Sequence, residues 1–161
     1  MERTIGFKER RYIEELRILT KSTAFDCIID ERFDRVIYVI KPGDMGLAIG
    51  RKGENIRKMQ RVLGRKIEMV EFAEDRDQFI ANIFKPAEVV AVDVDPEKSS
   101  INIRVRKKSD LGIAIGKGGT NVEKARALCR RFLQLNIHEV LLAEENYGKD
   151  RDTIGAVGSH Q

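Results

Sequence analysis

Tryptophan is missing from the 161 residues, and the other aromatics are few: seven Phe and three Tyr. That shortage disfavours recognition built on stacking bases against aromatic rings. Cysteine is scarce too. Cys27 and Cys129 stand 102 positions apart, which makes no disulfide scaffold; they read as small core hydrophobes, and the cytoplasm is the expected setting. His138 and His160 have no partners at ligand spacing, so neither a metal site nor a cofactor is expected. No apolar run approaches the ~20 residues of a membrane span, and the opening MERTIGFKERRY lacks the apolar stretch of a signal peptide.

Net charge is a modest +4, but its distribution is uneven. Residues 44–66 carry seven Lys/Arg against Asp44 and Glu54, and residues 109–135 carry five against Asp110 and Glu123. These segments are +5 and +3, so the rest of the chain is −4. Positive charge confined to two segments of an otherwise acidic chain reads as a footprint for a polyanion.

Those two segments are also a repeat. Residues 44–56 read DMGLAIGRKGENI and residues 110–122 read DLGIAIGKGGTNV, 66 positions apart, with seven of thirteen positions identical. Core packing alone tolerates drift, so a repeat that keeps glycines and cations in register points to a shared task. The repeat favours two units of about 65 residues. A unit that small is marginal alone, so the two are expected to pack against each other.

Each copy follows the same order of elements. Tyr12, Leu16 and Leu19 mark a helix over residues 8–20, and strands are predicted at Ala24–Asp30 and Arg35–Lys41. Pro42-Gly43 stops the second strand, and Asp44 is predicted to cap a short helix ending near Gly50. A further helix starts after Gly53, with Ile56, Met59 and Leu63 inward, and ends at Gly64; Lys66–Phe72 alternates like a strand. The second copy repeats this with a helix around Asp75–Phe84 and strands at Glu88–Val94 and Ser100–Lys107. A short helix capped by Ser109 or Asp110 follows. Then comes a helix over 120–135 with Val122, Ala125, Cys129, Phe132 and Leu133 inward, and a strand at 137–142. From 143 to 161 the polar composition predicts a flexible tail. The fold class is α+β, with α-β-β-α-α-β in residues 8–72 and again in 75–142.

Gly50-Arg51-Lys52-Gly53 and Gly116-Lys117-Gly118-Gly119 join the two consecutive helices of each copy. The first glycine lets the chain turn sharply at positive φ, and the last lets a sugar-phosphate backbone approach the amides that open the next helix. Arg51, Lys52 and Lys117 add cations. Ile49 and Ile115 offer an apolar floor for bases. Arg57, Lys58, Arg61, Arg126 and Arg130 read equally as an extension of the basic track or as a solvated face. Asn55 and Asn121 read as local hydrogen-bonding residues. A nucleotide-hydrolysing enzyme is the rival reading, and it fails on spacing. Gly112 and Gly116 enclose three residues where a Walker loop has four, and Gly118 stands where Ser or Thr would hold Mg²⁺.

With this element order and the phrase GLAIGRKGENI, residues 8–142 resemble the KH domains of the NusA transcription-factor family, above all its short archaeal members. The resemblance implies two tandem type II KH domains, single-stranded RNA binding and a role in transcription termination or elongation control. It places the RNA-contacting loops on Gly50, Arg51, Lys52 and Gly53 and on Gly116, Lys117, Gly118 and Gly119. No catalytic residue is expected, and the protein is expected to be a monomer. The chain leaves no room for the polymerase-binding N-terminal domain or the S1 domain of bacterial NusA. RNA polymerase or its elongation complex is therefore a partner implied by resemblance alone. Ribosome assembly or RNA processing is the alternative pathway for such loops.

Overall fold

In the computed structural model, residues 4–143 are described. The chain divides into two compact units between Asp75 and Arg76. In the first unit, α1 (Phe7–Thr20) precedes β1 (Ala24–Asp30) and β2 (Arg35–Ile40). Then come α2 (Met45–Ile49), a single 3-10 turn at Arg51–Gly53, α3 (Glu54–Leu63) and β3 (Lys66–Glu71). The second unit repeats the order with α4 (Arg76–Phe84), β4 (Val89–Asp95), β5 (Ser100–Val105) and α5 (Lys108–Ile115). A 3-10 turn at Lys117–Gly119, α6 (Thr120–Leu133) and β6 (Asn136–Leu142) complete it.

Each unit has a three-stranded sheet, ordered β1-β2-β3 and β4-β5-β6. β1 and β2 pair antiparallel, with Cys27 opposite Tyr38, whereas β2 and β3 run parallel, with Tyr38 opposite Met69. The second sheet has the same mixture: β4 is antiparallel to β5 and β6 is parallel to it. A parallel pair cannot be closed by a hairpin and needs a crossover. Here the crossover is the pair of helices with the Gly-x-x-Gly turn between them.

Period-2 alternation on β2 sends Val36, Tyr38 and Ile40 into a core with Leu16 of α1, Cys27 of β1, Ala48 of α2, Met59 of α3 and Ile67 of β3. The Tyr38 hydroxyl donates to the Tyr12 carbonyl at 2.7 Å, so a buried polar group is satisfied. Burial pushes its pKa upward. At the start of β2, Arg35 is 1 % exposed and is held by Asp30 at 2.7 Å and Glu68 at 3.0 Å. Such a charge is tolerable inside only because both carboxylates face it. In the second unit Phe79 of α4 meets Phe132 of α6 edge to face, with centroids 5.3 Å apart. Both cysteines are buried and neither forms a disulfide, and burial pushes the Cys129 thiol up to about 12.

Several local expectations need correction. Asp44 does not cap α2 with its side chain; its Oδ2 instead accepts from the Thr23 amide at 2.8 Å, tying the helix entry to the start of β1. In the second unit the cap position falls to Lys107, two residues before Ser109 and three before Asp110. Asp110 sits inside the first turn and accepts from the Lys107 amide at 3.1 Å. Strands β2 and β5 stop at Ile40 and Val105, short of Lys41 and Lys107, and α6 ends at Leu133 where Gln134 turns left-handed. Leu128 is fully buried on α6, while Phe132 and Leu133 are half-buried because they lie in its last turn. The tail expected over 143–161 lies, Ala143 apart, outside the described residues. Among the described residues no helix is long and apolar enough to cross a membrane.

Candidate nucleic-acid interface

Both Gly-x-x-Gly turns are built by glycine dihedrals. Gly50 has φ 76° and ψ 169°, and Gly116 has φ 77° and ψ 162°. A Cβ on Gly50 would lie 2.8 Å from Asn55 Cγ and 2.9 Å from the Asn55 amide; on Gly116 it would lie 2.8 Å from the Asn121 amide. Only glycine fits either place. Each turn then closes on itself. The Gly53 amide donates to the Gly50 carbonyl at 3.1 Å, and the Gly119 amide to the Gly116 carbonyl at 3.0 Å.

Asn55 and Asn121 lock the two helices of each crossover together. Asn55 Nδ2 donates to the Leu47 carbonyl at 2.8 Å, and Asn121 Nδ2 to the Ile113 carbonyl at 2.6 Å. This is the local hydrogen-bonding role expected for them. The cap residues of α3 and α6 are Gly53 and Gly119, which bring no side-chain cap hydrogen bond. The Glu54 and Thr120 amides donate back to the Arg51 and Lys117 carbonyls, so what each helix opening offers an anion beside the turn is its positive dipole end.

Arg51, Lys52, Lys117 and Gly118 are exposed, and Gly50, Gly53, Gly116 and Gly119 are half-buried. Lys52 has φ 53°, a left-handed conformation that costs a side-chain-bearing residue roughly 1 kcal/mol. Its counterpart Gly118 has φ 67° and escapes that cost. Ile49 is half-buried and Ile115 is 40 % exposed. Leu47 and Ile113, which the sequence reading passed over, are exposed one residue before the buried Ala48 and Ala114. The repeat held a signal for them, since both copies keep an apolar residue at that position.

The helix cations are deployed unevenly. Arg57 Nη1 donates to the Lys52 carbonyl at 2.6 Å, so this guanidinium is part of the first turn. Lys58 faces Glu54 at 3.7 Å, one helical turn away. Arg126 is paired with Glu123 at 2.6 Å. Arg61 and Arg130 are exposed in the last turns of their helices, roughly 12 Å and 16 Å beyond the turns along the axis.

Comparison with known proteins agrees with this architecture. A family model described as the NusA-like second KH domain matches residues 76–142, and a KH domain model matches residues 9–73. The chain is similar to the "Probable transcription termination protein NusA" of Halobacterium salinarum, with 36 % identity over 127 residues, 79 % of this chain and 90 % of the relative. It is also similar to the protein of that name from Halococcus morrhuae, at 32 % over 143 residues, 89 % of this chain and 100 % of the relative. Among solved structures, the crystal structure of APE1850 superposes with a TM-score of 0.75 at 34 % identity, covering 86 % of this chain and 99 % of that one.

Proposed function

The chain belongs to the NusA-like family of tandem KH proteins, and from that premise we propose that it is a single-stranded RNA-binding factor of transcription termination and elongation control that grips RNA through its two Gly-x-x-Gly turns. The observation that supports the reading best is the pairing, found twice, of an uncapped helix N-terminus with a glycine turn carrying exposed cations. A positive helix end and side-chain charge in one place suit a phosphate. Gly50, Arg51, Lys52, Gly53, Gly116, Lys117, Gly118 and Gly119 form the proposed contacts, with Ile49 and Ile115 beneath the bases. Arg61 and Arg130 are outlying phosphate contacts.

The RNA is a nascent transcript presented by the elongation complex of RNA polymerase, and the protein acts as a cytoplasmic monomer. The two turns engage one strand in turn. That proposal is supported by the connection Phe72-Ala73-Glu74-Asp75, which has no Gly, Pro or Ser and is too short for a flexible linker.

The test is a variant carrying Arg51→Asp, Lys52→Asp and Lys117→Asp. RNA affinity in a filter assay at low salt should fall by well over tenfold, while the thermal melt stays within ~0.5 kcal/mol of the parent, as is usual for exposed positions. Unchanged affinity would sink the loop-clamp reading. A polymerase pull-down from cell extract separately tests the elongation complex as partner.

A further inference from the structure

The two turns differ at a position on the following helix. Four residues after the last glycine of the first turn stands Arg57; four after that of the second stands Glu123. The Arg57 guanidinium reaches back to the Lys52 carbonyl at 2.6 Å and lies 3.1 Å from where a Cβ on Gly53 would be, so it is wrapped around the turn. Glu123 is engaged with Arg126 at 2.6 Å. The carbonyl that Arg57 fastens belongs to Lys52, whose side chain resists the left-handed conformation that Gly118 adopts without one.

We infer that Arg57 is the positioning residue of the first turn: it holds Lys52 and Gly53 in the conformation that presents the turn's charge to phosphate, and it makes this turn the stiffer of the two. The inference rests on the RNA-binding reading above and deepens it. A charge-assisted bond from a planar guanidinium to a carbonyl is strong and directional. It opposes the relaxation of Lys52 toward right-handed backbone, which would rotate the Gly53 amide off the Gly50 carbonyl and open the turn. Order set before binding is free energy not lost on binding. The second turn has the same glycine dihedrals, yet it carries glycine at its third position and a carboxylate where the brace would be. An arginine spent on a carbonyl acts through the loop and not on the ligand, which separates Arg57 from Arg61 and Arg130.

Salt dependence distinguishes a positioning role from a phosphate contact. The full chain, Arg57→Met and Arg57→Lys are titrated with a randomised single-stranded RNA pool of about twelve nucleotides, enough for two loops of about four each, across a salt series. The parent should bind with a sloping log K against log[salt]. Arg57→Met should bind about tenfold more weakly, a loss of ~1.4 kcal/mol, with the same slope and an unchanged melt. Backbone order parameters at Lys52 and Gly53 should fall while those at Gly118 and Gly119 stay put. Arg57→Lys, whose ammonium keeps the charge without the planar fork, should recover only part of the affinity. A slope smaller by ~0.7 in Arg57→Met would mark Arg57 as a phosphate contact and overturn the inference. Parental affinity with parental order parameters would overturn it as well. A parent that binds no RNA at any salt would instead fail the reading on which the inference stands.

Discussion

At their first glycines the two Gly-x-x-Gly turns agree within 1° in φ, and both close through an amide bonded to the carbonyl three residues back. At the third position they part. Lys52 holds a left-handed conformation under an arginine brace, and Gly118 holds a similar one with none of the steric resistance. Backbone geometry at such a turn is thus set by the outer glycines and the asparagine latch, which both copies share. The inner residues are free to trade charge for ease. The first turn carries two cations and braces the backbone of one of them; the second carries one.

The largest effect in this comparison is expected where the turns are alike. Gly50→Ala and Gly116→Ala each force a Cβ into a gap of 2.8–2.9 Å against a helix amide, at a dihedral combination that only glycine tolerates. Each should cost about 2–3 kcal/mol in urea melts. A large loss at one position and none at the other would break the claim that a single backbone design underlies both turns. A smaller effect is expected from Gly118→Lys, which imports the third residue of the first turn into the second. There is open space around Gly118, so the cost is the left-handed strain alone, roughly 1 kcal/mol. The added cation should steepen the salt slope of RNA binding by ~0.7 if it meets a phosphate. The smallest effect belongs to the latch. Asn55→Ala and Asn121→Ala each give up one bond to a helix carbonyl, and each should lower stability by about 0.5–1 kcal/mol. Unequal losses would show the two crossovers to be held together differently.

Most of the fold is legible in the sequence because its signals are local. β2 is bounded by a turn and by Pro42-Gly43, and Gly64 ends α3 with φ 67°. What escapes is whatever depends on a partner distant in sequence or on rotamer choice. Asp44 and Asp110 are the same residue at the same repeat position. Yet one accepts from an amide 21 residues upstream and the other from an amide three residues upstream. No pattern of types distinguishes them. Arg57 likewise reads as one more helix cation until its reach to the Lys52 carbonyl is seen. Leu128 is hidden by the same ambiguity, since adjacent Leu128 and Cys129 both fit the inward stripe and both prove buried.

One consequence of the sheet topology concerns inheritance. β2 and β3 run parallel, so the chain between Ile40 and Lys66 must travel back along the sheet before the second strand can pair. The Gly-x-x-Gly turn sits in the middle of that return path. An ordinary surface loop can be shortened or lost by a lineage that no longer uses it, leaving the scaffold behind. Here excising the turn would strand β3 on the wrong side of its own partner. A descendant that abandons RNA must keep the turn and can only change the residues it displays. A glycine pair that has lost its cations in a relative would then be a relic of binding and not a sign of it.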